Sequence, residues 1–310
     1  MSQQPAEKYA FLVGFEGEWR DTWWSPDFLA LTAQRWKLPE VKRALDVGCG
    51  VGHWGRTLLP YMAEDAVLTG VDREPAFVEK AAAKARELGL ERRATYRAAS
   101  VGELPFEDDM FDLVTCQTVL MHVPDVPRAL SEMRRVCKPG GLIAAVEPDN
   151  LAEATTFLRG SAGPSWRDLL TILDFQHACT EGKKALGRGD SHIGDLLPGL
   201  FAQADLADVT VHQNDKCPAL IPPYRTRDQA IDLRQILEWI DAGLFLFGGG
   251  TREDTEELYR AGGGDPDRFE ELWRTGMAAQ QAFKDAIVAG TYHGGRAVTA
   301  YLVSGRKPLR

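Results

Sequence analysis

The sequence contains no apolar run long enough to cross a bilayer, which excludes a spanning helix. Its five cysteines, Cys49, Cys116, Cys137, Cys179 and Cys217, form no C-x-x-C pair, so no zinc site and no disulfide framework are expected. Basic residues are not in excess. Against 45 Asp and Glu there are 36 Lys and Arg, a formal net charge of −9. That leaves no broad basic surface for nucleic acid. The opening "MSQQPAEKYA" has no basic stretch leading into an apolar one, so no secretory signal is read there. Scattered thiols beside apolar segments read as reduced and buried, and a cytoplasmic location is expected. There is no internal repeat and no low-complexity tail. What remains is ordinary globular composition, 44% hydrophobic and 26% charged, over 310 residues. This suits one large domain or two small ones.

From Ala44 onward, strand and helix patterns alternate. "ALDV" is a short apolar strand that stops at glycines, and "HWGRTLLPYM" reads as a helix. "AVLTGVD", "ATYRAA", "FDLVTC" and "LIAAVE" supply further strands, the last two nearly all apolar, as buried parallel strands are. Between them, "EPAFVEKAAAKARELG" starts near Pro75 and stops at Gly89, and "DVPRALSEMRRVC" has Asp125 as its cap. "KPGG" is read as a turn. This βαβα order predicts an α/β fold built on a doubly wound parallel sheet. Later, segments 165–181, 193–204, 226–242, 252–261 and 266–289 read as helices, while "LADVTVHQ" and "RAVTAYLVSG" read as strands. The glycine runs 248–250 and 262–264 read as punctuation between helices.

The chemistry starts in "ALDVGCGVGHWGR". Gly50-x-Gly52-x-x-Gly55 has the spacing of a dinucleotide loop, but glycines there serve any ligand that needs close backbone approach. The neighbours discriminate. Asp46, at the end of the first strand, is unhelpful beside a pyrophosphate and useful beside an ammonium group. It could equally brace the loop as an acceptor for backbone N–H groups. Asp72, at the end of the second strand, can accept from both hydroxyls of a ribose, for either kind of cofactor.

Four ordered stretches, "LDVGCGVG", "GVDREPAFVEKA", "ELPFEDDMFDLVTCQTVLMHVPD" and "RVCKPGGLIAAVEP", resemble the successive motifs of class I S-adenosylmethionine-dependent methyltransferases, of the small-molecule type. The resemblance covers Ala44 to about Pro148. It implies a seven-stranded, mostly parallel sheet whose final antiparallel strand is "RAVTAYLVSG", with a helical insertion before it. The expected layout is an aromatic N-terminal cap or lid (1–43), a cofactor-binding core (44–212), a helical substrate cap (213–290) and a closing strand (291–310). The implied cofactor is S-adenosylmethionine and the implied partner a small-molecule methyl acceptor. Gly48, Cys49, Gly50 and Gly52 would lie along the methionine part, with Asp46 at its ammonium group. Asp72 would hold the ribose and Arg73 flank the adenine. Ser100 stands where relatives carry an acid facing the adenine amino group, a weaker acceptor, and Val101 could offer its N–H. Gln117 would sit near the methionine end, and Tyr9 would reach the cofactor from the N-terminal segment.

Methyl transfer to a hydroxyl needs proton removal. His122, Glu147 and Asp149 are the catalytic candidates. His122 could instead bond the backbone, and the two acids could be loop caps. His192, after Asp190 and Ser191, reads as a helix-start residue. "YAFLVGFEGEWRDTWWSPDF" is dense in aromatics and reads either as a helix packed on the sheet or as a lid. The expected activity is methyl transfer to a small molecule, O- ahead of N- or C-. The alternatives are a non-catalytic cofactor sensor of the same fold and an NAD-dependent oxidoreductase.

Overall fold

The computed structural model describes residues 18–158, 160–246, 250–295 and 298–309. The chain starts with α1 (Pro26–Trp36), β1 (Arg43–Val47), α2 (His53–Leu58), β2 (Val67–Asp72), α3 (Pro75–Glu87) and β3 (Ala94–Ala98). It continues through β4 (Phe111–Gln117), α4 (Val126–Val136), β5 (Cys137–Pro148), α5 (Asn150–Leu158), α6 (Trp166–Ala185), α7 (Leu197–Gln203) and β6 (Ala207–Gln213). Then come β7 (Ala219–Leu220), α8 (Arg227–Asp241), α9 (Arg252–Ala261), α10 (Phe269–Val288), β8 (Gly294–Gly295) and β9 (Ala300–Arg306).

Two compact units share this chain. The sheet unit takes Trp24–Pro148, Ile193–Asp215 and the chain from Ala300. Its seven strands run in the order β3-β2-β1-β4-β5-β9-β6. The pairs β1–β2, β1–β4, β2–β3 and β4–β5 are parallel, whereas β9 lies antiparallel between β5 and β6. This is the expected sheet, reversed last strand included. Its central strands β1, β4 and β5 form because their side chains are apolar on both faces: Leu45, Val47, Leu113, Val114, Ile143 and Val146 are wholly buried. Each such burial contributes about 1.5–3 kcal/mol. Helix α4 lays Val126, Ala129, Leu130, Met133 and Val136 against the same core, and the Asp125 carboxylate accepts from the Arg128 N–H at 3.0 Å, the expected cap. Strand order reverses between β1 and β4, and open α/β sheets bind ligands beyond the carboxyl ends of such strands.

"KPGG" is not a separate turn. It lies within β5 as a bulge: Phe111 pairs with Cys137, but Leu113 pairs with Leu142. Gly140, at φ +77°, takes the left-handed step that lets the chain loop out and rejoin the same ladder.

The helical unit takes the 3-10 turn Glu18–Trp23, Asp149–His192 and Lys216–Thr299. Thus 149–192, placed with the sheet by the sequence layout, groups with the helices. Its core centres on Phe175, whose ring lies 5.4 Å from Phe245, 5.1 Å from Tyr259 and 5.8 Å from Phe269. α6 and α9 cross in backbone contact at Gly182 and Gly262, where an added Cβ would overlap carbonyl groups of the partner helix. The N-terminal aromatics divide. Trp19 belongs to the helical unit, donating to Asp232 at 2.8 Å and lying edge-on to Trp239. Trp24 and Trp36 belong to the sheet unit, both with rings against Trp54 of α2. α1 therefore packs against α2 within the sheet unit, while the aromatic stretch before Glu18 lies outside the described residues.

Candidate active site

The glycine loop is built between the end of β1 and the start of α2. Gly50 sits at φ +52° with no atom within 4 Å of where a Cβ would stand. That is an open cradle which a side chain would fill. Gly48 is tight instead: its Cβ would meet the Val119 methyls at 2.5 Å. The loop is pinned by three backbone donors. The Cys49 N–H bonds the Val71 carbonyl at 2.9 Å, the Gly50 N–H bonds Asp72 Oδ2 at 2.9 Å, and the Gly52 N–H bonds the Cys49 carbonyl at 2.7 Å. Asp72 also accepts from the Glu74 N–H at 2.9 Å through Oδ1. Each carboxylate oxygen thus carries one loop bond and keeps capacity for a second. Cys49 is buried, and burial first, then the nearby Asp46 and Asp72, push its thiol far above the usual range. It packs and does not react.

Asp46 braces the loop through one carboxylate oxygen. It is 1% exposed, and Oδ2 accepts from the Gly55 N–H of α2 at 2.9 Å. The bracing reading holds here: the acid caps a helix whose own N-cap, Gly52, has no side chain to do so. Arg73 is half-exposed and pairs with Glu74 at 3.5 Å. Ser100 is exposed and accepts from the Gly102 N–H at 3.3 Å, while Val101 packs against the core. Tyr9 lies outside the described residues.

At the end of β4 the Gln117 side chain is 4% exposed, and neither its amide nitrogen nor its oxygen has a hydrogen-bond partner among the described residues. An unsatisfied buried polar group costs about 1–3 kcal/mol. Thr118 follows at φ +54°, a strained position for a β-branched residue, and its hydroxyl donates to the Gln117 carbonyl at 2.7 Å. That step turns the next three N–H groups toward Glu147. Glu147 is wholly buried; Oε1 accepts from Val119 and Leu120 at 2.8 Å each, and Oε2 from Met121 at 3.2 Å. Its carboxylate is therefore the clamp on the loop after β4, not a base. Asp149 is corrected likewise: Oδ1 accepts from the Leu151 and Ala152 N–H groups at 3.1 Å each, capping α5 in the helical unit. The third catalytic candidate is His122. It ends the 3-10 turn Leu120–His122, half-buried, its N–H bonded to the Val119 carbonyl at 2.9 Å.

The carboxyl ends of β1, β2 and β4 thus bring together the glycine loop, Asp72, Arg73 and Gln117. An open cradle at Gly50, an acid with spare acceptor capacity and an unsatisfied amide suit a ligand carrying a ribose and a polar amino-acid end. Thr118 is a part of this site that no sequence signal marked.

Residues 45–145 match the family described as methyltransferase domain. An uncharacterised methyltransferase of Bacillus subtilis, YcgJ, is 37% identical over 105 residues, 34% of this chain and 40% of its own. Its crystal structure aligns over 92% of this chain and 100% of its own, with TM-score 0.52 and 20% identity, a likeness of fold. Methyltransferase GfsG of Streptomyces halstedii is 31% identical over 189 residues, 59% of this chain and 60% of its own. A demethylmenaquinone methyltransferase of Staphylococcus aureus is 38% identical over 105 residues, 34% of this chain and 42% of its own. The chain spans less than two thirds of each of these three curated relatives in the matched sequence. The matched methyltransferase domain agrees with the adenosyl sulfonium reading of the glycine loop. By its four ordered motifs, its sheet and these likenesses, the chain carries a methyltransferase domain over residues 45–145, and its sheet has the fold of class I S-adenosylmethionine-dependent methyltransferases.

Proposed function

We propose that this chain transfers a methyl group to a small organic acceptor, a hydroxyl ahead of an amine or a carbon. The observation that carries this reading is the buried, unsatisfied Gln117 amide beside the pinned glycine loop. When bound, S-adenosylmethionine supplies an electrophilic methyl carbon on its sulfonium. Asp72 accepts from the ribose hydroxyls with the oxygen capacity its two loop bonds leave. Gly48, Cys49, Gly50 and Gly52 offer backbone to the methionine part, and the Gln117 amide completes its hydrogen bonds at that end. Arg73, Ser100 and Val101 flank the adenine. His122 takes the acceptor's proton, a contribution of typically ~10²–10⁴ in rate. The demethylmenaquinone methyltransferase among the relatives supports an acceptor of small-molecule size. Segments outside the matched domain, 1–43 and 213–290, write the acceptor preference.

The test is methyl release from labelled cofactor against a panel of small hydroxyl, amine and carbon acceptors. A methylated hydroxyl is expected, with His122→Ala slower by about 10²-fold and unchanged in S-adenosylhomocysteine affinity. Tight cofactor binding with no acceptor consumed would replace this reading with a cofactor sensor.

A further inference from the structure

We propose that Arg56 is a positioning residue for the glycine loop, and through it for the amino-acid half of the cofactor. This deepens the proposed function and rests on it. Arg56 lies in α2, four residues past Gly52, and is half-buried. Its side chain does not run out along the helix. It turns back, and Nη1 donates to the Val51 carbonyl at 2.5 Å. The other end of the same peptide group, the Gly52 N–H, is held by the Cys49 carbonyl at 2.7 Å. Both ends of the 51–52 peptide are therefore fixed, one of them by a side chain alone.

A ring from β3 lies beside the guanidinium. Tyr96 of β3 pairs in register with Gly70 of β2, and its ring lies over that glycine. A Cβ on Gly52 would stand 2.6 Å from Arg56 Nη1 and 2.7 Å from the Tyr96 hydroxyl, so both groups lie beside the loop, the buried hydroxyl without a hydrogen-bond partner among the described residues. Burial pushes the Tyr96 hydroxyl up to about 12, and the adjacent Arg56 acts the other way. The phenol is neutral at working pH and can accept from the guanidinium. With the arginine head removed, the Val51 carbonyl loses its donor and the 51–52 peptide can rotate. The ribose is held by Asp72, whose two loop bonds do not involve Arg56. The damage should therefore fall on the methionine half and spare the nucleoside half.

The experiment compares two ligands by calorimetry on the full chain. S-adenosylhomocysteine carries the amino-acid end, and methylthioadenosine lacks it. Arg56→Met keeps the stem and removes the head, Arg56→Lys keeps the charge, and Tyr96→Phe removes the phenol. Arg56→Met should weaken S-adenosylhomocysteine about 10-fold or more, as expected for losing a charge-assisted bond, and methylthioadenosine less than about threefold. Arg56→Lys should recover part of the loss, and Tyr96→Phe should act weakly and non-additively with Arg56→Met. Wild-type affinity in Arg56→Met, or equal losses for both ligands, would overturn the proposal. If Arg56→Met does not fold, the same ligand comparison on Arg56→Lys and Tyr96→Phe decides, equal or absent losses again counting against it. Wild-type protein that binds neither ligand would instead bring down the cofactor reading, and this inference with it.

Discussion

Glu147→Gln separates a clamp from a base. In the wild type, Oε1 takes the Val119 and Leu120 N–H groups at 2.8 Å and Oε2 takes Met121 at 3.2 Å. A glutamine oxygen placed at the first position keeps two bonds, now to a neutral acceptor and each weaker by about 1 kcal/mol. The amide NH2 then faces the Met121 N–H, leaving a donor against a donor, which costs about 1–3 kcal/mol. Losing the desolvation penalty of a buried carboxylate offsets part of this. The net destabilisation should be about 2–3 kcal/mol. Hydrogen exchange at Val119, Leu120 and Met121 reads it locally, and a loss of that size speeds exchange by about 30-fold or more. Urea unfolding, followed through the tryptophans at Trp54, reads it in the sheet unit. A variant with wild-type stability and exchange but no turnover would refute the clamp and return Glu147 to the chemistry.

Gly182→Ala should disrupt the α6–α9 crossing, because the new methyl would overlap the Leu258 carbonyl. Backbone cannot yield as a side chain does, so a loss at or above about 3 kcal/mol in urea unfolding is expected, and a neutral result would contradict the close crossing. His192 titrates below its ordinary value, first because of burial, with His177 and Lys184 adding and Asp190 and Asp149 opposing. Its folded state therefore binds fewer protons than the unfolded chain in that window. The stability it contributes is complete above the ordinary value of ~6.5 and is lost as pH falls through the lower folded one. His192→Gln should flatten the decline in stability between about pH 7 and pH 5, and an unchanged slope would remove His192 as its source.

The strands were legible because they are short apolar runs stopped by glycine or acid, whereas the reversal of the last one followed only from the resemblance to a known family. The α5 helix was not. "NLAEATTFL" follows a strand directly, and its cap, Asp149, looks in one dimension like one more acid at a strand end. Glu147 misled for the same reason, since its three donors lie 26 to 28 residues away and are aligned only by the Thr118 turn. Asp46 was open to two readings, and only three-dimensional placement shows that Gly55, nine residues on, takes its oxygen. Gln117 was marked by position, but its unsatisfied amide is a property of packing. The nearness of Arg56 to Tyr96 depends on β2 and β3 lying side by side, and no spacing records it. The tryptophans read as one aromatic segment, yet Trp19 serves the helices and Trp24 the sheet, because the boundary between units falls after Trp23.

The most direct measurement is calorimetric titration of the full chain with S-adenosylhomocysteine and, separately, with NAD. Wild-type protein should bind the first at one site, and Asp72→Ala should weaken it about tenfold or more through the lost ribose acceptor. NAD should not bind. Binding of NAD in place of S-adenosylhomocysteine would contradict the claim that this crevice holds an adenosyl sulfonium.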